Sequence, residues 1–596
     1  MAEGGYTGWR GSVRPAGGEE FIYAERAGRL GLPFVRTPQI APIRGDEADL
    51  AAAISGRLAA SGLSDGHAYL APEAGDLEEI GQWIDSHPDL VERLKVSTPT
   101  AIRSSLIAAG GKGFVQLAIS RLSDWRPDLS ARRAVTRGQA ILSLALILIA
   151  LLSLYFDPTG TLAALNLAGA SVFLGITLVR FAAGAVTTEL RKRPPFRPDR
   201  SRDDALPVYS VLVPLYGEAA VAADLVAALD RLDWPRDRLD IKLIVEEDDP
   251  KTRAAVESLV DGSPYEVIVV PPAEPRTKPK ALAFALPFAE GAFVTIYDAE
   301  DRPHPLQLRE AFQTFSEDDP SLGCLQAPVL TDNQQAGLIA EMFSVEYSAL
   351  FDGVLPTLAE LGLPLPLGGT SNHFRRDVLE AVGGWDPFNV TEDADLGIRL
   401  ARFGYRAATI TLPTYEEAPA SLGPWMKQRT RWLKGWLQTW FVHMRDPLRL
   451  VRETGIRQAL GFNLIGMGMI VSILIHPVYL VTLAILVIDP LLFWREGGSF
   501  AAATIGVNLF NLVAGHLAMI FLAQRTLALR RQRLGLAALA ALPLYWLLMS
   551  LAGYRAIFQF LTRPHFWEKT PHLGRRAFIS RRKRRDAKIG ERRQPE

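Results

Sequence analysis

Three groups of carboxylates are spaced so that they could work on one substrate. Glu246, Glu247, Asp248 and Asp249 close the run IKLIVEEDD (241–249), and Asp298, Glu300 and Asp301 close AFVTIYDAED (292–301). Glu392 and Asp393 stand near the head of NVTEDADLGIRLARFGYR (389–406). Acids gathered at one edge repel each other unless a cation joins them. Mg²⁺ or Mn²⁺ would serve, since both take oxygen ligands and let substrate phosphates complete the shell. One acidic cluster alone reads as a solvated loop; two, each directly after a run of buried-type β residues, read as a site. For the third group capping is an equal alternative, with Thr391 as N-cap and the acids favoured by the helix dipole.

Other residue types suit a polar, phosphorylated ligand. PLGGTSNHFRR (366–376) is rich in glycine and hydroxyls around Gly369 and Thr370, which permits close backbone approach. Lys278 and Lys280 in RTKPKALAFAL would face a diphosphate or merely decorate a helix start. WMKQRTRWLKGWLQTW (425–440) interleaves Trp425, Trp432, Trp436 and Trp440 with Lys427, Arg429, Arg431 and Lys434. Such a helix either lies at a membrane surface or stacks sugars and clamps phosphate.

The elements that must position these groups follow from patterning. From 206 to about 420, apolar β runs alternate with helical segments: 208–214, 241–249, 266–272 and 292–301 are strands, and Glu218–Leu232 is a helix. Alternation of this kind predicts an open, mainly parallel sheet with helices on both faces, whose ligands bind at the carboxyl ends of the strands. Upstream, Asp46–Ala60, Asp76–His87 and a Thr-capped Thr98–Ala109 read as helices, and His67–Pro72 as a short strand. The helix opened by the third acidic group would bury Leu396, Ile398, Leu400 and Phe403.

Composition and hydropathy bound the whole. The chain has 596 residues and zero net charge, so more than one domain and no nucleic-acid partner are expected. Its single cysteine, Cys324, excludes an intrachain disulfide and reads as a small buried residue. Residues 138–156 are apolar and uncharged, 161–182 form a second candidate span with Arg180 snorkelling at its end, and 459–493, 500–523 and 535–561 follow the central region. Pro477 and Pro490 leave 459–493 as one span or two, for a total of five or six. One span means that 535–561 re-enters or lies in the interface; two would put the arginine-rich loop 524–534 outside. Arg132, Arg133 and Arg137 before the first span, and Arg191 to Arg193 after the second, put the central domain in the cytoplasm. Ten Lys/Arg against two acids in 575–593 put the tail there too.

In this order, VPLYGE (213–218), the EEDD strand end, YDAEDRPHP (297–305), GGTSN (368–372), TED (391–393) and QRTRW (428–432) resemble the processive family 2 glycosyltransferases, the group of cellulose, hyaluronan, chitin and mixed-linkage glucan synthases. The resemblance covers about 206–450. It implies a GT-A-type α/β domain with a transmembrane helical bundle, a nucleotide-diphosphate sugar donor, a growing polysaccharide, and a divalent metal, Mg²⁺ or Mn²⁺. By the same resemblance Glu246 or Glu247 would meet the nucleotide, Asp298 and Glu300 would hold metal and diphosphate, and Asp393 beside Glu392 would be the general base. Lys278, Gly369 and Thr370 would belong to the donor site, and Gln428, Arg431 and Trp432 would hold acceptor and diphosphate. Trp436 and Trp440 would anchor the helix at the interface. Two departures stand out: Glu300 replaces the usual second Asp, and Glu replaces the usual nucleotide Asp. RPHFWEKTPH (563–572) is similar to a C-terminal motif of some bacterial members, so that Trp567, Lys569 and Thr570 would cover the nucleotide site or serve as a plain juxtamembrane anchor.

RAGRLGLPFV (26–35), AYLAP and KVSTPTAIRSSL resemble the N-terminal domain of type II secretion ATPases, some of which bind a cyclic dinucleotide. No convincing duplicate of the ligand-contacting repeat is present, which favours a docking or regulatory module, with a regulatory protein or c-di-GMP as the candidate partners. The implied organisation is an α/β module at 1–130, a membrane hairpin at 138–186, the catalytic domain at 206–422, an interfacial helix at 423–450, membrane or interfacial helices at 459–561 and a basic tail at 562–596. The implied protein is a multi-pass enzyme of a bacterial inner membrane that adds a UDP-hexose such as UDP-glucose to a β-linked exopolysaccharide. Transfer to a polyprenyl-phosphate or other lipid acceptor is the rival enzymatic reading; a c-di-GMP-sensing membrane scaffold is the non-enzymatic one.

Overall fold

The computed structural model describes residues 18–568 except 65, 191, 193, 261–263 and 490–497. Lys569, Thr570 and the basic tail therefore lie outside the described residues. The chain divides into two compact units.

The first unit comprises residues up to Trp125, Asp199–Ala299 and Phe374–Pro387. Its small sheet holds β1 (Leu58–Ala60), β2 (Ala68–Leu70) and β3 (Leu94–Val96) in that order, β1 antiparallel and β3 parallel to β2. The expected helix Asp46–Ala60 is shorter than its pattern. Asp46 caps it, accepting from the amides of Ala48 and Asp49, but Gly56 at φ +60° ends the helix Glu47–Ser55 and frees 58–60 to pair as β1. Conversely, the Thr98-capped helix outruns its expected end at Ala109. It is α1 (Pro99–Trp125), and Thr98 Oγ1 accepts from Ala101 N at 3.0 Å. Gly110, Gly111 and Gly113 are contact points here, not a stop: a Cβ on Gly113 would lie 2.2 Å from Arg44 O, and one on Gly111 2.7 Å from Pro271 Cγ.

Pro271 follows the main strands of this unit, β4 (Tyr209–Leu215), β5 (Leu239–Glu246), β6 (Tyr265–Val270) and β7 (Phe293–Ile296). All are parallel, in the order β7-β4-β5-β6. β4 and β5 are buried almost throughout, as continuous apolar runs between helix layers must be. The chain steps outward from β4 to β5 and β6, then returns to the far side of β4 as β7. That reversal makes the carboxyl ends of β4 and β7 the switch point where such sheets bind ligands.

The second unit comprises Arg126–Pro198, Glu300–His373 and Phe388 onward. β8 (Arg302–Pro303), β10 (Val329–Thr331) and β13 (Thr414–Glu416) form a sheet ordered β10-β13-β8, while β9 (Leu322–Gln326) and β12 (Arg406–Thr409) pair in parallel; β11 (Asn372–Arg375) crosses the division between the units. The helices that matter most here are α2 (Arg137–Phe156), α3 (Pro158–Leu190), α4 (Glu392–Arg402), α5 (Leu422–His443), α6 (Pro447–Thr454), α7 (Ile456–Ile488), α8 (Gly498–Leu529) and α9 (Leu536–Thr562). Among the described residues α2, α3, α7, α8 and α9 are long and apolar enough to cross a membrane.

One of these helices outruns its expected bounds, and of the alternatives left for 459–493 the single helix is the one observed. Residues 459–488 form one helix, α7, through Pro477; the carbonyls near that proline are met by Ser550 Oγ on Ile473 O at 2.6 Å and Tyr554 OH on Leu474 O at 2.9 Å. α3 continues to Leu190, so Arg180 does not end it, and its guanidinium packs 4.7 Å over the Trp546 ring. The arginine-rich loop after α8 lies beside the end of α3, because Arg530 pairs with Asp352 at 2.5 Å and Thr187 Oγ1 donates to Asp352 O at 3.3 Å. At its start α9 is tied to the helix Leu338–Ala349 through Gly535 N and Glu341 Oε1 at 3.1 Å, and Tyr545 in its third turn meets Trp425 at the start of α5. Cys324 is fully buried.

Candidate active site

In the first unit, the acidic strand ends meet a row of cations spaced two apart. Glu246 ends β5 half-buried, and its Oε2 lies 2.8 Å from Lys280 Nζ. Asp248 pairs with Arg276 at 2.5 Å, and Asp298, just past β7, pairs with Lys278. Glu247 is exposed, its amide bonded to Val270 O, and Asp249 caps the helix Pro250–Glu257. The four acids of EEDD therefore differ in task, and Glu246 is the one drawn inward. Burial pushes its carboxyl above the usual carboxylate range, although Lys280 pulls the other way. Arg276 was not among the sequence candidates; its alternation with Lys278 and Lys280 was the available signal.

The only group of three acids near enough for one metal, among the described residues, lies elsewhere. Asp240, Glu266 and Glu290 bring carboxylate oxygens within 4.8 Å of one another. They sit at the amino ends of β5 and β6 and before β7, away from the switch point. Two cations already occupy the cluster: Lys242 lies 2.9 Å from Asp240 and contacts Glu266, while Arg103 of α1 reaches Glu266 at 2.7 Å and Glu290 at 3.2 Å. Burial would raise the Glu266 carboxyl, but Arg103 and Lys242 outweigh it and hold the group below its usual range. This cluster is a neutralised joint. At Asp298 the donor set suits Mg²⁺ or Mn²⁺ better, since its partly exposed oxygen already attracts a cation, the Lys278 ammonium.

In the second unit, Glu300 and Asp301 open the segment that follows β7. Thr370 Oγ1 donates to Asp301 Oδ2, and Gln326 Nε2 donates to Thr370 O at 3.0 Å. Gly368 N donates back to Gln326 Oε1 at 2.7 Å. Next to Gly369 and Thr370, Ser371 holds φ +59°, a left-handed backbone that costs a non-glycine residue; its hydroxyl is fixed to Thr414 Oγ1 at 2.6 Å. The hydroxyl-rich loop is thus rigidly built.

The TED turn is strapped to α5. Val390 N donates to Gln438 Oε1 at 3.2 Å and Asn389 Nδ2 to Thr439 Oγ1 at 3.0 Å. A Cβ on Gly435 would fall 2.4 Å from Thr391, so glycine is required where the turn crosses the helix. Thr391 holds the N-cap position expected of it, but its side chain makes no cap hydrogen bond. Its hydroxyl makes no hydrogen bond among the described residues and is buried against Gly435. Glu392 is buried, while Asp393 stays partly exposed and accepts from Ala394 N at 2.7 Å.

On α5 the aromatic and cationic residues separate into tasks. Arg429 is buried, pairs with Glu346 at 2.8 Å, and lies 4.5 Å from Trp432, 4.7 Å from Phe343 and 6.0 Å from Trp425. Trp432 also stacks on Tyr347, with ring centroids 6.0 Å apart. Gln428 is buried with Oε1 unpaired among the described residues. The guanidinium of Arg431 lies 5.3 Å over Trp567, in a strap that crosses α5 through Lys434 to Phe566 O and Gln438 Nε2 to Pro564 O at 3.0 Å. His565 Nδ1 lies 3.1 Å from Phe388 O, beside the TED turn. Trp440 Nε1 donates to Asn463 of α7 at 2.9 Å, and Trp436 packs against Gly466. Sequence reasoning missed the buried group Asp395, Arg399, Arg402 and His443 beneath α4 and α5, although the four-residue spacing of Asp395 and Arg399 was legible.

A family model for "glycosyl transferase family group 2" matches residues 293–564, and one for "glycosyl transferase family 2" matches 210–354. A probable glycosyltransferase of Bacillus subtilis (strain 168) is 26% identical over 236 residues, 39% of this chain and 55% of the relative. The beta-monoglucosyldiacylglycerol synthase of Synechocystis is 25% identical over 327 residues, covering 54% and 66%. A probable glucomannan 4-beta-mannosyltransferase of Arabidopsis thaliana is 25% identical over 240 residues, covering 39% and 43%. The chain thus spans only 43% to 66% of the length of these curated relatives. Among solved structures, the mannosyltransferase PcManGT of Pyrobaculum calidifontis, in complex with GDP-Man and Mn²⁺, is 19% identical with TM-score 0.40, covering 67% of this chain and 99% of that one. The parallel α/β sheet with acidic strand ends is the GT-A-like arrangement that the sequence leads one to expect. Between them, the two family 2 glycosyltransferase models match residues 210–564 of this chain.

Proposed function

We propose that the chain is a membrane-embedded, inverting glycosyltransferase that polymerises a nucleotide-diphosphate sugar, UDP-glucose or a related UDP-hexose, into a β-linked exopolysaccharide and passes it through its own helices. The observation that carries this reading is the strapping of the TED turn to the Q-x-x-R-W helix, which itself rests on α7 through Trp440 and Trp436. Acceptor chemistry and apolar helices are thereby joined in one rigid piece. Asp393 takes the proton of the acceptor hydroxyl as that oxygen attacks the anomeric carbon, and the nucleoside diphosphate departs with inversion. Asp298 and Glu300 would hold Mg²⁺ or Mn²⁺, which would offset the diphosphate charge. Lys278 and Glu246 flank the donor, with Gly369 and Thr370 shaping its pocket. Gln428, Arg431 and Trp432 hold the acceptor end and the leaving diphosphate, Arg431 by its planar, always charged fork. The enzyme sits in a bacterial inner membrane with these groups in the cytoplasm, and the module at 1–130 takes a regulatory protein or c-di-GMP.

A lipid acceptor is the second reading, supported by the similarity to a relative named for a glucosyldiacylglycerol. Both are tested with purified protein in nanodiscs, Mg²⁺ or Mn²⁺, and radiolabelled UDP- and GDP-sugars. Ethanol-insoluble label supports polymerisation, and solvent-extractable label supports the lipid acceptor. Asp393→Asn is expected to cut transfer by about 10³-fold or more while nucleotide binding persists, since the base is lost and the donor groups are not. Near-normal product from that variant would sink the mechanism.

A further inference from the structure

The roles above leave one cluster of titratable groups unused. Asp395 lies two residues beyond Asp393 on α4, about 200° around the helix, and is wholly buried. Arg399 Nε donates to its Oδ2 at 2.7 Å. Its Oδ1 lies 3.0 Å from Nε2 of His443, the last residue of α5. The other ring nitrogen, Nδ1, lies 3.2 Å from Arg402 Nη1, and Arg402 Nε is bound to Glu453 of α6 at 2.6 Å. The Phe462 ring of α7 closes the site edge-on, its centroid 5.7 Å from that of the imidazole.

This arrangement dictates the state of the ring. A guanidinium nitrogen only donates, so Nδ1 must accept, and the proton of the neutral imidazole belongs on Nε2, pointing at Asp395. Protonation would turn Nδ1 into a donor facing a donor, in a site where His443 is fully buried. Burial pushes its pKa below the ordinary histidine range; Asp395 opposes that, while Arg402 and Arg399 add to it. On the other side, Asp395 is held below the usual carboxylate range: burial would raise it, but Arg399 and His443 prevail. The stable pair is a neutral ring donating to a carboxylate.

We propose that Asp395 and His443 are positioning residues for transfer. Their hydrogen bond ties the helix that bears Asp393 to the helix that bears Gln428 and Arg431, and a second tie between the same helices, Arg402 Nη1 to His443 Nδ1, holds only while the ring is neutral. The two helices carry the partners of one reaction, so a shift between them of about 1 Å can cost about 10²-fold in rate. This inference rests on the Asp393 reading of the proposed function.

His443→Gln and His443→Leu separate it from a merely structural role. A glutamine amide can donate to Asp395 while its carbonyl accepts from Arg402, so His443→Gln retains both bonds without an ionisable group. We expect it to keep kcat within about 3-fold of the parent and to carry the acid limb of the kcat profile to lower pH. His443→Leu fills the space but leaves both partners unmet. Its kcat is expected to fall about 10²-fold, with donor KM and UDP affinity unchanged. Should His443→Leu fold too poorly to assay, the pH profile of His443→Gln decides alone. A leucine variant with parental kcat, or a glutamine variant with the parental acid limb, overturns the proposal. Asp393→Asn is assayed alongside: normal turnover there rejects the base, whereas a dead Asp393→Asn with unaffected His443 variants rejects only the coupling.

Discussion

The two ends of the parallel sheet β7-β4-β5-β6 carry the same residue types to opposite purposes. At the amino ends Asp240, Glu266 and Glu290 surround Lys242 and Arg103, whose side chains are 0% and 3% exposed. Ser210 Oγ at 2.7 Å and the Glu290 amide at 3.0 Å satisfy the remaining Asp240 oxygen. At the carboxyl ends three acids pair one-to-one with Arg276, Lys278 and Lys280, and Asp298 remains 31% exposed. Acid density alone would favour the amino end for a metal. What distinguishes the ends is access: the amino-end cluster is buried with its own cations, whereas Asp298 stays part-exposed beside Lys278, where a divalent ion could take the place of the ammonium.

Removing charge at each end should therefore fail in different ways. The largest effect is expected from Asp298→Asn, with transfer reduced by about 10³-fold or more and Mn²⁺-dependent UDP binding lost, while Tm hardly moves. Isothermal titration with thermal unfolding checks it, and a normal metal dependence would move the metal elsewhere. Arg103→Met comes next. It strands Glu266 beside a single cation and should cost about 3–5 kcal/mol of stability by denaturant unfolding, with UDP affinity of the folded protein unchanged. The penalty has a pH signature. The folded Glu266 carboxyl lies below its unfolded value, so its contribution is present above the ordinary glutamate pKa and lost as pH falls through the folded one. The variant should consequently lose part of the parent's acid sensitivity. The smallest effect is expected from Glu246→Gln. Burial holds that carboxyl above its ordinary value, so its ionisation opposes folding as pH rises. The amide should raise Tm slightly near neutrality while weakening donor binding about tenfold. Opposite signs for stability and binding would mark Glu246 as a residue kept for its ligand.

Much of this was legible before any coordinates. Strands β4 to β7 fall within a few residues of their apolar runs, because a parallel strand buried on both faces has little choice of composition. The acids after them were found for the same reason. What the pattern could not supply was partnership across distance: Arg103 with Glu266, or Asp395 with His443, joins residues that no local spacing connects. Glycine misled in α1, where it marks close packing, and threonine misled at Thr391, where burial against Gly435 replaces capping. Trp432 illustrates a subtler gap. The sequence offers its ring to a sugar, but the fold also lays it on Tyr347 and Arg429, so its orientation is set before any acceptor arrives.

Arg103 has an implication for descent. Joining two genes normally leaves a seam, a linker that later recombination can cut without harm to either side. Here the first module has sent an arginine into the charge cluster beneath the neighbouring sheet, and its glycine-lined helix lies against Pro271. The module and the sheet are thus joined by buried charge and close packing as well as by the chain itself. A lineage that discarded the module would have to replace Glu266 and Glu290 in the same step, so Arg103 and its acids should be inherited as one character.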